Sequence, residues 1–266
     1  MVSVSILGSG SRGNCTLIST SRTRILVDAG LSARETFRRM QTVGESIHSL
    51  SGIVISHEHS DHVTGLCTIA KKLRVPVYMT GSAHQAFERS QHDPEREGPA
   101  LAACEYFRAG SAFQIGDISV MPFTIPHDAA DPVAFTFRME GIKVAVVTDL
   151  GYMPANVAQN IRGCDVLMIE SNHDLEMLRI GPYPWSVKQR VMSRLGHLSN
   201  DALADFFRNE YDGSAAFVVL AHLSEHNNHP EIARTAAEHA LSGRRSLLHN
   251  RLMLASQMQP LEPLRF

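Results

Sequence analysis

The stretch Ser56-His57-Glu58-His59-Ser60-Asp61-His62 follows the apolar run 52–55 and precedes a helical pattern from Val63 to Arg74. Three imidazoles and the Asp61 carboxylate at a strand end cannot all lie on one helical face, so the pattern indicates a loop whose side chains point at a metal. His57 and His59 are two residues apart, so an extended backbone directs both to one side, where imidazoles suit zinc, manganese or iron. Asp61 and His62 are adjacent and face elsewhere, which indicates a second metal. The alternative is a solvated loop that happens to contain histidines.

The composition is that of a globular chain without a global basic field. Its 266 residues are 44% hydrophobic, enough to bury a full core, and we predict a single domain over residues 1–266. The 25 Lys and Arg are balanced by 27 Asp and Glu, so overall charge does not identify a nucleic-acid binder. Four widely spaced cysteines form no CxxC pair, and no apolar run reaches the length of a membrane span. We therefore expect a cytoplasmic protein with no membrane partner.

The first glycine-rich segment, residues 8–14, matches the letters GxGxxG. A dinucleotide-binding fingerprint must open a helix after that loop, whereas a strand pattern follows at residues 15–19. We therefore reject the Rossmann interpretation and predict a tight turn between strands 2–7 and 15–19, whose backbone amides can face a phosphate.

Strand and helix patterns alternate along the rest of the chain. We predict an exposed loop over Gln91 to Pro99 and helices at 63–73 and 82–89, the latter following a strand at 76–79. Further strands are predicted at residues 24–27, 118–125, 133–139, 142–147, 166–169 and 216–220. A helix is predicted after Ala29-Gly30, with Ser32 as its N-cap.

Four polar residues stand at or just after the ends of predicted strands: Asp28, His127, Asp149 and His222. Singly, each has an ordinary explanation, as a turn cap, a loop residue, a helix N-cap or a core histidine. Beside the histidine-rich stretch, Asp28 is better explained as a carboxylate that orients an imidazole. The others complete two ligand sets: His57, His59 and His127 for one metal, and Asp61, His62 and His222 for the other, with Asp149 bridging. Positions remain open for water and a substrate oxygen.

In this order the residues resemble the metallo-β-lactamase-fold hydrolases. The resemblance implies an α/β (α+β) fold, a four-layer αββα sandwich of mixed sheets with the metals in a cleft at one edge. The segments 8–14, Glu170-Ser171-Asn172-His173-Asp174 and Gly181-Pro182-Tyr183-Pro184-Trp185 look like the YycJ/WalJ-type branch, whose members are associated with 5′-to-3′ DNA exonuclease activity.

A second likeness, to the tRNA 3′-processing nucleases of this fold, concerns Glu170 and His197. It implies that Glu170 orients His197 and that His197 protonates the departing oxygen. The alternative makes His197 only a neighbour of the helix cap Ser199, and His226 is an alternative to His222 as ligand.

The predicted substrate contacts are Ser9, Ser11, Arg12, Asn14 and His173. The basic segment from Arg179 to Arg194 either holds a nucleic-acid backbone, with Tyr183 and Trp185 stacking on bases, or is a solvated helix face.

These observations predict a dinuclear metal-dependent hydrolase, a phosphodiesterase or exonuclease acting through a metal-bridging hydroxide that Asp61 aligns. The cofactors are two divalent metal ions, zinc first, with manganese or iron as alternatives, and the substrate is a nucleic acid, DNA rather than RNA. A thioester or lactone hydrolase and a metal-binding module without turnover are the competing functions. A diiron redox protein is disfavoured, because members of that class usually have Glu where this chain has His59.

Overall fold

The computed structural model describes residues 1–91, 99–242 and 251–266, which form two compact units. The first unit consists of Met1–Pro122, Ala129–Val133 and Ser256–Phe266; the second consists of Phe123–Asp128 and Ala134–Ala255. Most of the predicted loop Gln91 to Pro99 lies outside the described residues. Within the described ranges, no helix has the length and apolar character needed to cross a bilayer.

The first unit is organised around a seven-stranded mixed sheet in the order β14-β1-β2-β3-β4-β5-β6. The pairs β14–β1, β1–β2 and β2–β3 are antiparallel, and the pairs from β3 to β6 are parallel. The strands are β1 Ser3–Gly8, β2 Cys15–Ser19, β3 Arg24–Val27, β4 Gly52–Val54, β5 Val77–Met79, β6 Cys104–Tyr106 and β14 Leu264–Arg265. A hairpin of β7 Phe113–Ile115 and β8 Ile118–Thr124 follows β6 in the chain.

The helices of this unit pack their apolar faces on the sheet around a core of Leu, Ile, Val and Phe side chains. They are α1 Ala33–Thr42, the 3₁₀ turn Ile47–Ser49, α2 Ser60–Val63, α3 Leu66–Leu73 and α4 Gly81–Ser90. Helix α1 begins after Ser32, whose Oγ accepts the N–H of Glu35, so Ser32 is the cap expected from the sequence.

The prediction of an entirely non-helical histidine stretch was wrong at its end, because α2 already begins at Ser60. The single helix predicted from residue 63 is also interrupted between α2 and α3. Gly65 lies so close to neighbouring backbone that a Cβ there would be 2.2 Å from Leu31 O. This close approach of two chain segments separates the two helices.

The second unit contains the strand order β13-β12-β11-β10-β9, in which only β9 and β10 pair antiparallel. The strands are β9 Val133–Met139, β10 Ile142–Val147, β11 Val166–Glu170, β12 Phe217–Ala221 and β13 Arg251–Leu254. Its helices are α5 Ala155–Ile161, α6 Leu175–Ile180, α7 Trp185–Val191, α8 Asn200–Asn209 and α9 Pro230–Ser242. All residues of β11 are buried, as expected of a near-continuous apolar parallel strand.

Candidate metal-binding clusters

The first unit brings the polar residues of the histidine-rich stretch together after β4. The rings of His57 and His59 meet edge to face with centroids 4.7 Å apart, and His57 and His62 lie 4.0 Å apart. Asp61 Oδ2 is 3.5 Å from His62 Nε2. His57 and His62 are fully buried, while His59 and Asp61 are partly exposed. The four predicted ligands of this stretch therefore form one cluster.

Asp28, directly after β3, holds this cluster from behind. Its Oδ1 accepts the Ser56 N–H at 2.8 Å, and its Oδ2 accepts the Ser56 hydroxyl at 2.9 Å and lies 2.8 Å from His62 Nδ1. Because an ionised carboxylate only accepts, His62 Nδ1 carries the proton, and Nε2 is the nitrogen that could act as a metal ligand. The structure thus gives Asp28 the contact expected of a carboxylate that orients an imidazole.

The glycine-rich turn joins β1 to β2 and reaches the cluster through Asn14. Asn14 Oδ1 accepts the Gly10 N–H at 3.0 Å, and its Nδ2 donates to Asp61 Oδ2 at 3.2 Å and lies 3.0 Å from His62 Nε2. Of the predicted substrate contacts on this turn, Ser9 and Asn14 are buried, and Ser11 and Arg12 are exposed. Ser11 and Arg12 are therefore the two that face solvent.

The second unit has a separate cluster around Glu170, the last residue of β11. This carboxylate is fully buried and accepts four hydrogen bonds. Oε1 lies 2.8 Å from both His197 Nδ1 and His222 Nδ1, and Oε2 accepts the Leu150 and Leu198 N–H groups at 3.0 Å. Burial alone would raise the pKa of Glu170, but the two imidazoles lower it to about 2.

Asp149 completes this second cluster, in which the ligand atoms of Asp149, Glu170, His197 and His222 all lie within 4.8 Å of one another. Asp149 Oδ1 is 3.3 Å from His222 Nδ1 and 3.7 Å from His197 Nδ1. Asp149 does not cap the helix that follows it, because α5 begins after Pro154. His127 lies beside the cluster, with its ring 5.3 Å from that of His197 and its Nδ1 3.2 Å from Gly196 O.

His197 differs from His222 in its exposure. Its side chain is 21% exposed against 3% for His222, although both share Glu170. Burial alone would lower the pKa of His197, but the Glu170 carboxylate raises it above the ordinary value. Ser199 also caps α8, with its Oγ accepting the Ala202 N–H, so the capping role and the Glu170 contact coexist. His226, the alternative ligand, packs edge to face on Tyr183 at 6.0 Å.

Three candidate site residues adopt a left-handed backbone immediately or shortly after a strand. Asp28 has φ 58°, Asp149 has φ 61° and His222 has φ 53°. Only two other non-glycine residues within the described ranges, Arg74 and Glu140, have positive φ. Such conformations cost free energy and concentrate at functional sites.

A buried amide network behind the second cluster carried no signal in the sequence patterns. Asn228 Nδ2 donates to Ser171 O and Asn172 O, Asn200 Nδ2 donates to Asn228 Oδ1, and Asn172 Nδ2 donates to His222 O. The network ties the ends of β11 and β12 together and so fixes the backbone of His222. His173 is 2% exposed, and burial lowers its pKa to about 4.

The imidazole nitrogens and carboxylate oxygens in both clusters are suitable ligands for divalent metal ions. In His62 and His222 the Nδ1 atom is paired with a buried carboxylate, and in His57 and His127 it lies against a hydroxyl and a carbonyl oxygen. Such partners fix the imidazole so that Nε2 acts as the ligand atom, the usual arrangement around metal-binding histidines. Metal binding at His62 Nε2 requires the Asn14 amide to give up its contact there.

Comparisons with known proteins agree with this arrangement. The sequence profile of the Beta-lactamase superfamily domain matches residues 23–222. The chain is 38% identical over 241 residues to exodeoxyribonuclease YycJ of Bacillus anthracis, covering 89% of this chain and 88% of that protein. It is 35% identical over 229 residues to exodeoxyribonuclease WalJ of Streptococcus pneumoniae serotype 2, covering 86% and 84%. The predicted resemblance to the YycJ/WalJ-type branch is confirmed.

A solved structure supports the fold. The metallo-β-lactamase fold protein YhfI of Bacillus subtilis matches with a TM-score of 0.72 at 16% sequence identity, over 98% of this chain and 100% of that chain. This likeness confirms the predicted metallo-β-lactamase fold.

Proposed function

The chain belongs to the β-lactamase superfamily, and we therefore propose that it is a dinuclear metal-dependent phosphodiesterase that degrades DNA as a 5′-to-3′ exonuclease. The observation that carries the proposal is the extended identity with two exodeoxyribonucleases, which spans both units of the chain. The two clusters of buried imidazoles and carboxylates support it, because metal-dependent phosphodiester hydrolysis needs side chains of these kinds to hold the metal ions.

We propose that both clusters supply ligands to the same two metal ions. Their order along the chain supports this proposal, since the family resemblance assigns ligands from each cluster to both ions. Each unit holds only part of the ligand set, so residues 1–266 act as one hydrolase domain. The proposed ligands are His57, His59, Asp61, His62, His127, Asp149 and His222, and the proposed ions are zinc first, with manganese or iron as alternatives.

Bound divalent ions would supply a nucleophile at neutral pH by lowering the pKa of a bound water to about 7, and they would neutralise charge on the phosphate. The chain's own residues do the rest. Asp61 aligns the attacking water by accepting its hydrogen bond. Glu170 holds His197 by Nδ1, so that the opposite nitrogen, Nε2, can donate a proton to the departing oxygen. We propose that Ser11 and Arg12, which face solvent on the glycine-rich turn, contact the phosphate backbone.

Location in the cytoplasm is part of the proposal. Cys15 and Cys164 are buried thiols, and burial raises the pKa of Cys164 to about 12, which keeps it unreactive. Core thiols of this kind are typical of proteins from reducing compartments.

The test is digestion of 5′-labelled and 3′-labelled DNA and RNA strands by the purified protein, with metal content measured by elemental analysis. We expect two divalent ions per chain and release of labelled mononucleotide first from 5′-labelled DNA. Asp149→Ala is expected to lose metal and activity together, whereas Asp205→Ala, at an exposed position on α8, should keep both. Hydrolysis of lactones or glutathione thioesters with no cleavage of DNA or bis-p-nitrophenyl phosphate would overturn the proposal.

A further inference from the structure

The connection between Glu170 and His197 carries an unusual number of exposed apolar side chains. Six of the eleven large apolar side chains that are exposed within the described ranges lie in residues 175–195, here called the 175–195 segment. They are Leu175, Ile180, Trp185, Val187, Met192 and Leu195. Trp185, the single tryptophan of the chain, is 64% exposed. Exposed apolar patches of this kind mark interaction sites.

The backbone of this segment is firmly held, so a loose chain does not explain the exposure. At its base, the Asn172 N–H donates to Leu198 O and the Asn200 N–H donates to His173 O. Lys188 Nζ donates to Arg179 O at 2.8 Å and joins α7 to the end of α6. These bonds fix the backbone while the apolar side chains face solvent.

Two glycines allow the same segment to pack closely on its surroundings. A Cβ at Gly196 would lie 2.2 Å from Val191 O, and one at Gly151 would lie 2.3 Å from Arg194 O. These backbones touch at distances that a side chain would prevent. The segment is therefore a fixed platform, well suited to presenting side chains in one geometry.

The segment is also basic. It contains four cationic residues, Arg179, Lys188, Arg190 and Arg194, against one acidic residue, Glu176, in a chain whose formal net charge is −2. Lys188 is buried, so the exposed cations are the three arginines, of which Arg179 pairs with Glu176 and Arg190 with Asp128. The Arg194 guanidinium lies 4.1 Å from the centre of the Tyr152 ring, which holds it at the edge of the platform. An anionic ligand with apolar surfaces would match both properties.

The segment adjoins the second cluster. Arg190 Nε donates to Asp128 Oδ2 at 2.5 Å, and the Asp128 N–H donates to Leu195 O at 3.1 Å. Asp128 directly follows His127, whose Nδ1 lies 3.2 Å from Gly196 O. A ligand lying along the segment would therefore reach the neighbourhood of His127 and His197.

We propose that the 175–195 segment is a binding platform for single-stranded DNA, on which a base stacks against Trp185 while the cationic side chains attract the backbone; this inference rests on the proposed nuclease function. Trp185 and Gln189 are exposed and four residues apart, so they share one face of α7, and the exposed Met192 follows three residues later at the C-cap of that helix. Single strands present apolar base faces and an anionic backbone, which such a platform recognises without reading sequence. A second copy of this chain would instead bring two basic segments together.

The proposal is tested with Trp185→Ala in the metal-loaded enzyme, and with Ile232→Ala as a control for an exposed apolar residue of the same unit, on α9. Loss of one stacked base should raise KM for a single-stranded oligonucleotide about tenfold. Hydrolysis of bis-p-nitrophenyl phosphate, which is too small to reach the platform, should be unchanged. Trp185→Phe should restore most of the affinity, and Ile232→Ala should behave as wild type.

Trp185 also provides a direct readout, because all tryptophan fluorescence of the chain comes from this residue. A phosphorothioate oligothymidylate, added to the wild type, should quench that fluorescence with a midpoint that rises with salt. If the wild type cleaves single strands but Trp185→Ala has the same KM and no quenching occurs, the platform is refuted and the nuclease function stands.

Two further outcomes separate the platform from the function. If the wild type cleaves neither DNA nor the small diester but the oligonucleotide still quenches, the nuclease function fails and the binding surface stands. If sedimentation shows that Trp185→Ala changes the oligomeric state while KM for DNA is unaffected, the segment is an interface between copies and the proposal is overturned.

Discussion

Replacing Glu170 by glutamine is the most informative single change in the second cluster. The substitution keeps the size and shape of the side chain and removes only its charge and half of its accepting capacity. In the native protein both oxygens accept, Oε1 from His197 and His222, and Oε2 from the N–H groups of Leu150 and Leu198. A glutamine amide can satisfy only one of these two pairs.

The size of the effect follows from this count. If the amide oxygen faces the imidazoles, the NH₂ group opposes two buried backbone N–H donors. If it faces the backbone, His197 and His222 must move their protons to Nε2, and His222 could then no longer bind the proposed metal ion through that atom. Either orientation loses two hydrogen bonds to a charged acceptor, at roughly 1.5–3 kcal/mol each, so we expect a loss of about 3–6 kcal/mol. Metal affinity should fall about 10- to 100-fold.

Urea unfolding of the metal-free protein measures the first quantity, and competition with a chelator measures the second. Glu176→Gln is the matched control, because that glutamate is exposed and pairs with Arg179 on the same short helix. Its effect should be within about 0.5 kcal/mol, as for most exposed ion pairs. An unfolding free energy and a metal affinity both unchanged in Glu170→Gln would refute the role of Glu170 as the centre of the cluster.

Further predictions concern His197 and the first unit. His197→Ala should keep both metal ions and lose activity most strongly on substrates with poor leaving groups; equal losses on nitrophenyl and DNA substrates would exclude an acid role. Arg39→Met should lower the unfolding free energy by about 3–5 kcal/mol, because the buried guanidinium donates to three backbone carbonyls and Glu35. Exposed Arg38→Met should change it by less than about 0.5 kcal/mol in the same urea titration. Hydrogen bonds from Arg38, then Arg39, lower the pKa of Glu35 to about 2. Its stabilisation is therefore present above the unfolded pKa of about 4.3, and the stability gap between wild type and Glu35→Gln should shrink as pH falls from about 5 to 2.

The sequence predicted most of the strands and the polar residues at their ends, since those signals are local, but it did not predict β6, β7, β13 or β14. Apolar runs with turn residues at their ends define β3, β10 and β12, and Asp28, Asp149 and His222 follow these runs closely. The role of Ser32 as the N-cap of α1 could be predicted for the same reason, because capping depends on a few adjacent residues.

The features that sequence patterns did not supply depend on tertiary contacts. At Gly65, between α2 and α3, the N–H donates to Ala29 O, and Leu31 O lies where a Cβ would be, so the interruption depends on residues distant in the chain. Asn200 and Asn228 are 28 residues apart, and each has the appearance of an ordinary polar residue until the fold buries both. The hydrogen bond from Asn14 to Asp61 could likewise not be predicted from the sequence, although both residues were chosen as candidate site residues for other reasons. The periodicity of apolar residues shows which face of one helix or strand is buried, but it does not show which elements contact each other.

The left-handed residues at the strand ends show how the fold favours function over stability. A non-glycine residue in this conformation costs roughly 1 kcal/mol, and a glycine there would not. Comparing Asp149→Gly with Asp149→Ala isolates this cost, because neither variant has a carboxylate and only the alanine keeps the strain. In urea unfolding of the metal-free proteins, we expect the glycine variant to be more stable by about 1 kcal/mol, although glycine elsewhere usually destabilises. A more stable alanine variant would mean that the backbone at Asp149 stores no strain, and the turn would then follow from local chain preference and not from the demands of the cluster.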